Sequence, residues 1–265
     1  TPNATTYRIK LVDFGADNAF GGGDDSEHEV VINSPGLSSW NTHQIALSDM
    51  TGLSATSNIS QIIFSALPTA GATLYVDNIY FYQTPEPAPM TAAAAPTADA
   101  VDVISLFSNT YTDVTVDTWR TGWSNATLED IQVAGDDVKK YSALDFVGIE
   151  TVGANSIDAS GMDYFTFDAW TPNATTYRVK LVDFGADNAF GGGDDTDHEI
   201  AFANPTQETW TNHTINLSDF TGLTGKSNIS QIIFSALPTA GTTLYIDNVY
   251  FSRDPVLNYT VSTIA

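Results

Sequence analysis

Residues Thr171–Asp195 read TPNATTYRVKLVDFGADNAFGGGDD, and residues Thr1–Asp25 read TPNATTYRIKLVDFGADNAFGGGDD. Inside the first stretch, Tyr177, Val179 and Leu181 alternate with Arg178 and Lys180. A period of two puts one set of side chains on each face of a β-strand, apolar on one side and charged on the other. The glycine- and aspartate-rich run that follows is turn chemistry. The unit is therefore a strand leading into an acidic loop.

Moving outward, the same alternation recurs at Tyr164–Trp170, Val101–Phe107 and Leu244–Phe251. Further strand segments lie at Leu128–Val133, Leu144–Glu150, His198–Ala203, Thr211–Leu217 and Ile229–Ala236, separated by Gly, Asn and Asp clusters. No window carries a sustained 3.6-residue apolar pattern. Many short strands divided by turn residues predict an all-β fold, a two-sheet β-sandwich of the jelly-roll type.

Self-comparison sets the organisation. Residues 1–82 align without a gap to residues 171–252, at roughly 70% identity. SNISQIIFSALPTAG is repeated verbatim, and LYVDNIYF returns as LYIDNVYF. Repeats of this kind are the mark of a modular array. The organisation predicted is a C-terminal half-module over 1–83, a Pro/Ala-rich linker over 84–96, a complete module over 97–253 and a tail or new segment over 254–265. A half-sandwich exposes a core face and strand edges. Missing upstream chain, further copies of the module or another chain would complete it.

The chain has 32 acidic and 9 basic residues, a formal net charge of −23, and no cysteine. Such a surface repels phosphate backbones and anionic headgroups, so nucleic acid is not an expected partner. Nothing is long and apolar enough to insert in a membrane. Neutral ligands and divalent cations suit the charge better. Absence of thiols removes disulfides and thiolate metal sites, and the chain reads as a secreted or cell-surface, extracellular protein.

Three constellations could carry function. In the acidic loop, Asp183, Asp187, Asp194 and Asp195, with Asp13, Asp17, Asp24 and Asp25 in the first copy, offer the hard oxygens that calcium takes. A plain solvated hairpin loop accounts for the same residues. Asp247, with Asp77 as its counterpart, stands in an otherwise apolar last strand, either on a solvated face or as a ligand of structural calcium. Trp119 and Trp123 in DTWRTGW, with Tyr141 nearby, offer aromatic faces on which the apolar C–H face of a pyranose can stack. The histidines His198 and His213 suit surface and structural roles. No G-x-S-x-G, H-E-x-x-H or P-loop is present, so no enzyme is expected.

Together, TADAVDVISLF, DTWRTGW, KLVDFGADNAFGGGDDTDHE and LYIDNVYF resemble the β-sandwich carbohydrate-binding modules of marine Bacteroidota, found in secreted glycosidases and surface glycan-binding proteins. The resemblance implies a jelly roll, structural Ca2+ and binding of a neutral algal β-glucan such as laminarin. It places sugar on Trp119 and Trp123 and calcium on Asp247. The competing function is a structural repeat of a cell-surface adhesin or extracellular filament.

Overall fold

The structure, a computed structural model, describes residues 1–255 and divides the chain into two units, Thr1–Gln83 and Thr84–Ala265. The rest of the 254–265 tail lies outside the described residues. No α-helix occurs among the described residues.

In the first unit the alternating segments form three strands, β1 (Thr6–Asp13), β2 (Ser26–Asn33) and β3 (Ile59–Leu67). They make one antiparallel sheet in the order β2-β1-β3. The β1–β2 register runs from Thr6 opposite Asn33 to Asp13 opposite Ser26, so the acidic loop closes this hairpin.

The second unit contains β4 (Val103–Phe107), β5 (Asn125–Val133), β6 (Asp136–Glu150), β7 (Tyr164–Trp170), β8 (Thr176–Asp183), β9 (Thr196–Ala203), β10 (Thr211–Asn216), β11 (Ile229–Leu237) and β12 (Thr242–Ser252). Pairing follows one path, β10-β7-β12-β6-β11-β8-β9, with β4 on β12 and β5 on β6. Strand β6 turns the corner. Its Lys139–Leu144 half pairs with β12, and its Phe146–Glu150 half pairs with β11. Ala143, between the halves, has a φ of +48°, the kind of local irregularity that bends a strand from one sheet into another.

The result is the all-β jelly-roll sandwich expected from the alternation. Its layers meet through aromatic contacts. Phe167 of β7 lies 5.1 Å, centroid to centroid, from Phe234 of β11 and 5.9 Å from Phe202 of β9. Tyr177 of β8 hydrogen-bonds His213 of β10 at 2.6 Å. Burial lowers the His213 pKa to about 4, so this histidine is a neutral part of the interior, as its strand position suggested. His198 is also structural: its Nδ1 accepts the Gly222 amide at 3.1 Å.

Residues 84–96, read as linker, carry no strand or helix and are tied to the second unit. Glu86 accepts from Asn173 and Thr243, the Thr91 carbonyl accepts from Trp210 Nε1 at 2.7 Å, and the Ala94 carbonyl accepts from Asn248. They lie over β12 and β10, the outer side of the sheet that contains β7.

Candidate functional site

The opposite outer face, formed by β6, β11, β8 and β9, has a different character. The register places its side chains in rows. One row runs Glu150, Gln231, Val182, Asp197 and the next runs Gly148, Ile233, Lys180, Glu199. A third runs Phe146, Ser235, Arg178, Ala201. Directly opposed residues share a face, with strands about 4.8 Å apart. These are the outward members of the alternation whose inward members Val179, Leu181, Ile232 and Phe234 are buried.

Trp123 lies on this face at its β6 edge. Its ring stacks on Phe146 with centroids 6.1 Å apart and planes 22° apart, and it remains 46% exposed. Gly148 makes this possible, because a Cβ there would sit 2.1 Å from the Trp123 ring carbon Cη2. The indole is thus laid flat over a gap in the row of side chains, one face on the sheet and the other outward. Behind it the polar groups are fixed. Gln231 Nε2 donates to Glu150 Oε1 at 3.0 Å, Lys180 pairs with Asp197 at 2.9 Å, and Arg178 with Glu199 at 3.5 Å. A flat aromatic beside an ordered ladder of donors and acceptors is suited to a sugar chain, whose rings are apolar on their faces and polar at their rims. Gly148→Ala is accordingly expected to push the indole off the sheet and weaken glycan binding about tenfold with the fold intact, measured by titration beside circular dichroism.

Two residues assigned to sugar stacking from the sequence are placed elsewhere. Tyr141 is fully buried, and its hydroxyl donates to the Trp119 carbonyl at 2.9 Å. Its alternation with Lys140 puts it on the inward face, so it is a core residue and not a ligand contact. Trp119 is half-buried against the core, edge-on to Phe107 at 5.4 Å. The Lys139 ammonium lies 4.9 Å from its ring centroid and pairs with Asp130 at 2.6 Å. That cation–π contact occupies the ring, which leaves Trp123 as the exposed indole of the pair. The residues that sequence reasoning missed, Arg178, Lys180, Gln231 and Phe146, were visible as the outward half of alternating strands. Which of the two sheets stays open was not.

The acidic loop is organised by its own carboxylates. Asp183 is buried and accepts the Gly185 amide through Oδ1 and the Asn228 amide through Oδ2, each at 2.8 Å. Asp194 accepts from Ala186 at 2.6 Å, Asp187 from Ala189 at 2.9 Å and Asp195 from Gly191 at 2.6 Å. A Cβ at Gly192 would meet Asp187 Oδ2 at 2.3 Å and Asp194 Oδ1 at 2.9 Å, so only glycine admits both. In the first unit the equivalent amides of Gly15, Asn58, Ala16, Ala19 and Gly21 engage Asp13, Asp24, Asp17 and Asp25. Among the described residues, no three His, Asp or Glu side chains are grouped so as to hold a metal ion by themselves. Asp195 Oδ1 and Asp25 Oδ1 are nevertheless buried without a hydrogen-bond partner.

Asp247 is not on a solvated face. It is fully buried in β12, opposite Asp168 of β7. Its Oδ1 accepts the Asn248 amide, while Oδ2 has no partner. Asn248 bridges the surroundings, donating to Asp168 and accepting from the Ser108 hydroxyl. Burial raises the Asp247 pKa to about 7, and the carboxylates of Asp136 and Asp168 push the same way against the Asn248 amide. Burial raises Asp168 as well, opposed by hydrogen bonds from Asn248 and Asn212. Its counterpart Asp77 accepts the Asn78 amide in an exposed, unpaired segment.

No protein-family model and no curated protein matches the chain. Among solved structures, a family 30 carbohydrate-binding module from a cellulosomal cellulase of Clostridium thermocellum is similar at 15% identity and a TM-score of 0.45, over 57% of this chain and 98% of that one. A family 11 carbohydrate-binding module from the same organism, solved with a β-1,3-1,4-mixed-linked tetrasaccharide, is similar at 16% identity and a TM-score of 0.41, over 58% of this chain and 98% of that one. A variant of a family 29 module complexed with mannohexaose gives 13% identity and a TM-score of 0.36, over 57% of this chain and 90% of that one. These are likenesses of shape at low identity.

Proposed function

We propose that the chain is a non-catalytic, extracellular polysaccharide-binding protein whose second unit takes a neutral glycan across the outer face of β6, β11, β8 and β9. One observation carries this reading: Trp123 lies flat and outward on Gly148, at the edge of the one outer sheet face that residues 84–96 leave open. The sugar ring stacks on Trp123, and Gln231, Lys180 and Arg178 meet its hydroxyls. Carboxylates Glu150, Asp197 and Glu199 orient those donors, each being engaged by one of them. A net charge of −23 favours uncharged polymers. Laminarin, a neutral β-glucan, is the first candidate.

Structural calcium belongs to the same proposal. The buried, unpartnered Oδ2 of Asp247 is a candidate oxygen ligand for a divalent cation. Asp195 Oδ1 is a second such oxygen, in the acidic loop. Bound calcium would supply positive charge to these oxygens and stiffen the segments that carry them.

Affinity electrophoresis of the whole chain against laminarin, mixed-linkage glucan, mannan and alginate tests the reading. Retardation by one or more neutral polymers and none by alginate is the expected result. A structural repeat of an adhesin or filament is the second reading, favoured by the roughly 70% identity of residues 1–82 with residues 171–252. Indifference to every polymer, with chelator lowering the melting temperature, would select it.

A further inference from the structure

In the second unit, Leu244–Phe251 runs within β12, wholly buried between β6 and β7. The nearly identical Leu74–Phe81 of the first unit forms no strand, and Tyr75 and Tyr80 are 66% and 71% exposed. The sequences differ only at Val76/Ile246 and Ile79/Val249, but among the described residues the first segment has no strand partners. Together with the inward face of β1 and β3, this segment borders an open cavity of about 730 Å3 lined by Leu11, Trp40, Ile62, Phe64, Val76 and Ile79 among others.

The residues on this face are those that the second unit buries. Tyr7, Leu11, Ile62, Phe64, Leu74 and Phe81 stand where Tyr177, Leu181, Ile232, Phe234, Leu244 and Phe251 stand. In the second unit their cover is one continuous stretch, β4 to β7, whose Leu144, Val147, Phe165 and Phe167 reach the shared core. We propose that the open face of the first unit docks an N-terminal half-module of the sequence type of Thr97–Trp170, whose strands pair with residues 74–82 on both edges and close a second sandwich. Backbone groups of an unpaired extended segment and an apolar face matched in shape are the two elements of strand addition.

Docking also completes a site. The outer face of β1, β2 and β3 already carries Arg8, Lys10, Gln61 and Ile63 in the register of Arg178, Lys180, Gln231 and Ile233. Arg8 pairs with Glu29 at 3.3 Å and Lys10 with Glu27 at 2.8 Å, repeating the ladder of the second unit. What it lacks is the aromatic platform, because Trp123, Phe146 and Gly148 all come from the segment 97–170, which residues 1–265 contain once. The incoming segment supplies them and creates a second glycan platform, a consequence that rests on the function proposed above.

The test joins a second copy of Thr97–Trp170 directly ahead of Thr1, reproducing the Trp170–Thr171 junction of the chain. Amide hydrogen exchange over residues 72–82 and calorimetric titration with laminarin are then compared with the parent. Exchange slowed to the level of residues 242–252, with two ligand sites per chain in place of one, is expected. A companion chain carrying Leu144→Asp and Phe165→Asp in the added copy only is expected to show neither change. Unaltered exchange over residues 72–82 in the extended chain overturns the docking. Slowed exchange with one site leaves the docking standing and removes the glycan role of this face. A parent chain that is dimeric and already protected there assigns the face to a second copy, which also overturns the proposal.

Discussion

Trp123→Ala is expected to lower affinity for laminarin roughly thirty-fold or more while leaving the unfolding midpoint unchanged. Among the described residues, the ring is the only exposed aromatic that the second unit lays flat on this sheet face, and one side of it is already desolvated by Gly148 and Phe146. Truncating an aromatic anchor of a binding site costs about 2 kcal/mol or more, and each 1.4 kcal/mol is about tenfold. Stability changes little because the indole lies outside the main core, with nearly half its surface in water. Trp119→Ala should behave in the opposite way. It removes packing against Phe107 and the partner of Lys139, so it lowers stability and leaves the sugar-facing surface alone. Thermal denaturation and titration on the two variants separate the roles that one sequence motif had joined.

Asp247→Asn is expected to change stability with a sign that depends on calcium. In chelator at pH 8 the parent's Asp247 is buried and ionised, whereas in the unfolded chain it is ionised in water. Its folded pKa of about 7 lies above the ordinary 3.8, so the folded state binds the extra proton between those values. Stability contributed by this group therefore rises as pH falls from 7 to 4 and is lost as pH rises through 7. About three pKa units at 1.36 kcal/mol each give a penalty on the order of 2–4 kcal/mol at pH 8, which asparagine removes while still accepting the Asn248 amide. Below pH 4 the two proteins should converge. His213 acts in the opposite direction. Its pKa is held down to about 4, the unfolded state takes up the proton first, and stability falls as pH drops through 6.5 to 4. The difference between variant and parent in urea denaturation cancels that contribution. In millimolar calcium the order should reverse, because the variant loses a charged ligand. A parent chain whose stability ignores calcium would overturn the proposed ion.

Much of the fold was legible in the strands themselves. Tyr164–Trp170 was bounded to the residue, and the alternation in Tyr177–Leu181 named the buried face correctly. The first half of β6 was not legible. Ala134 and Gly135 both take positive φ in a two-residue hairpin turn, and Gly-Asp-Asp-Val followed by two lysines reads as loop until Lys139 and Lys140 are seen paired with Asp130 and Glu129 across the hairpin. Tyr141 was misplaced for the same reason. Without that half-strand its position had no inward side. Leu74–Phe81 fails the other way, since a strand pattern forms a strand only where partners exist to take its backbone hydrogen bonds. Local pattern therefore located elements and faces. Pairing between distant segments decided which aromatic stays exposed and which outer face stays open.

Calorimetric titration of the whole chain with laminarin tests the central claim most directly. Saturable heat at one site per chain is the expected outcome, because only the second unit joins the polar ladder to Trp123. Absence of heat with laminarin and with the neutral polymers of the panel would contradict glycan binding. Two equivalent sites would contradict the platform, since the first unit would then be binding without it.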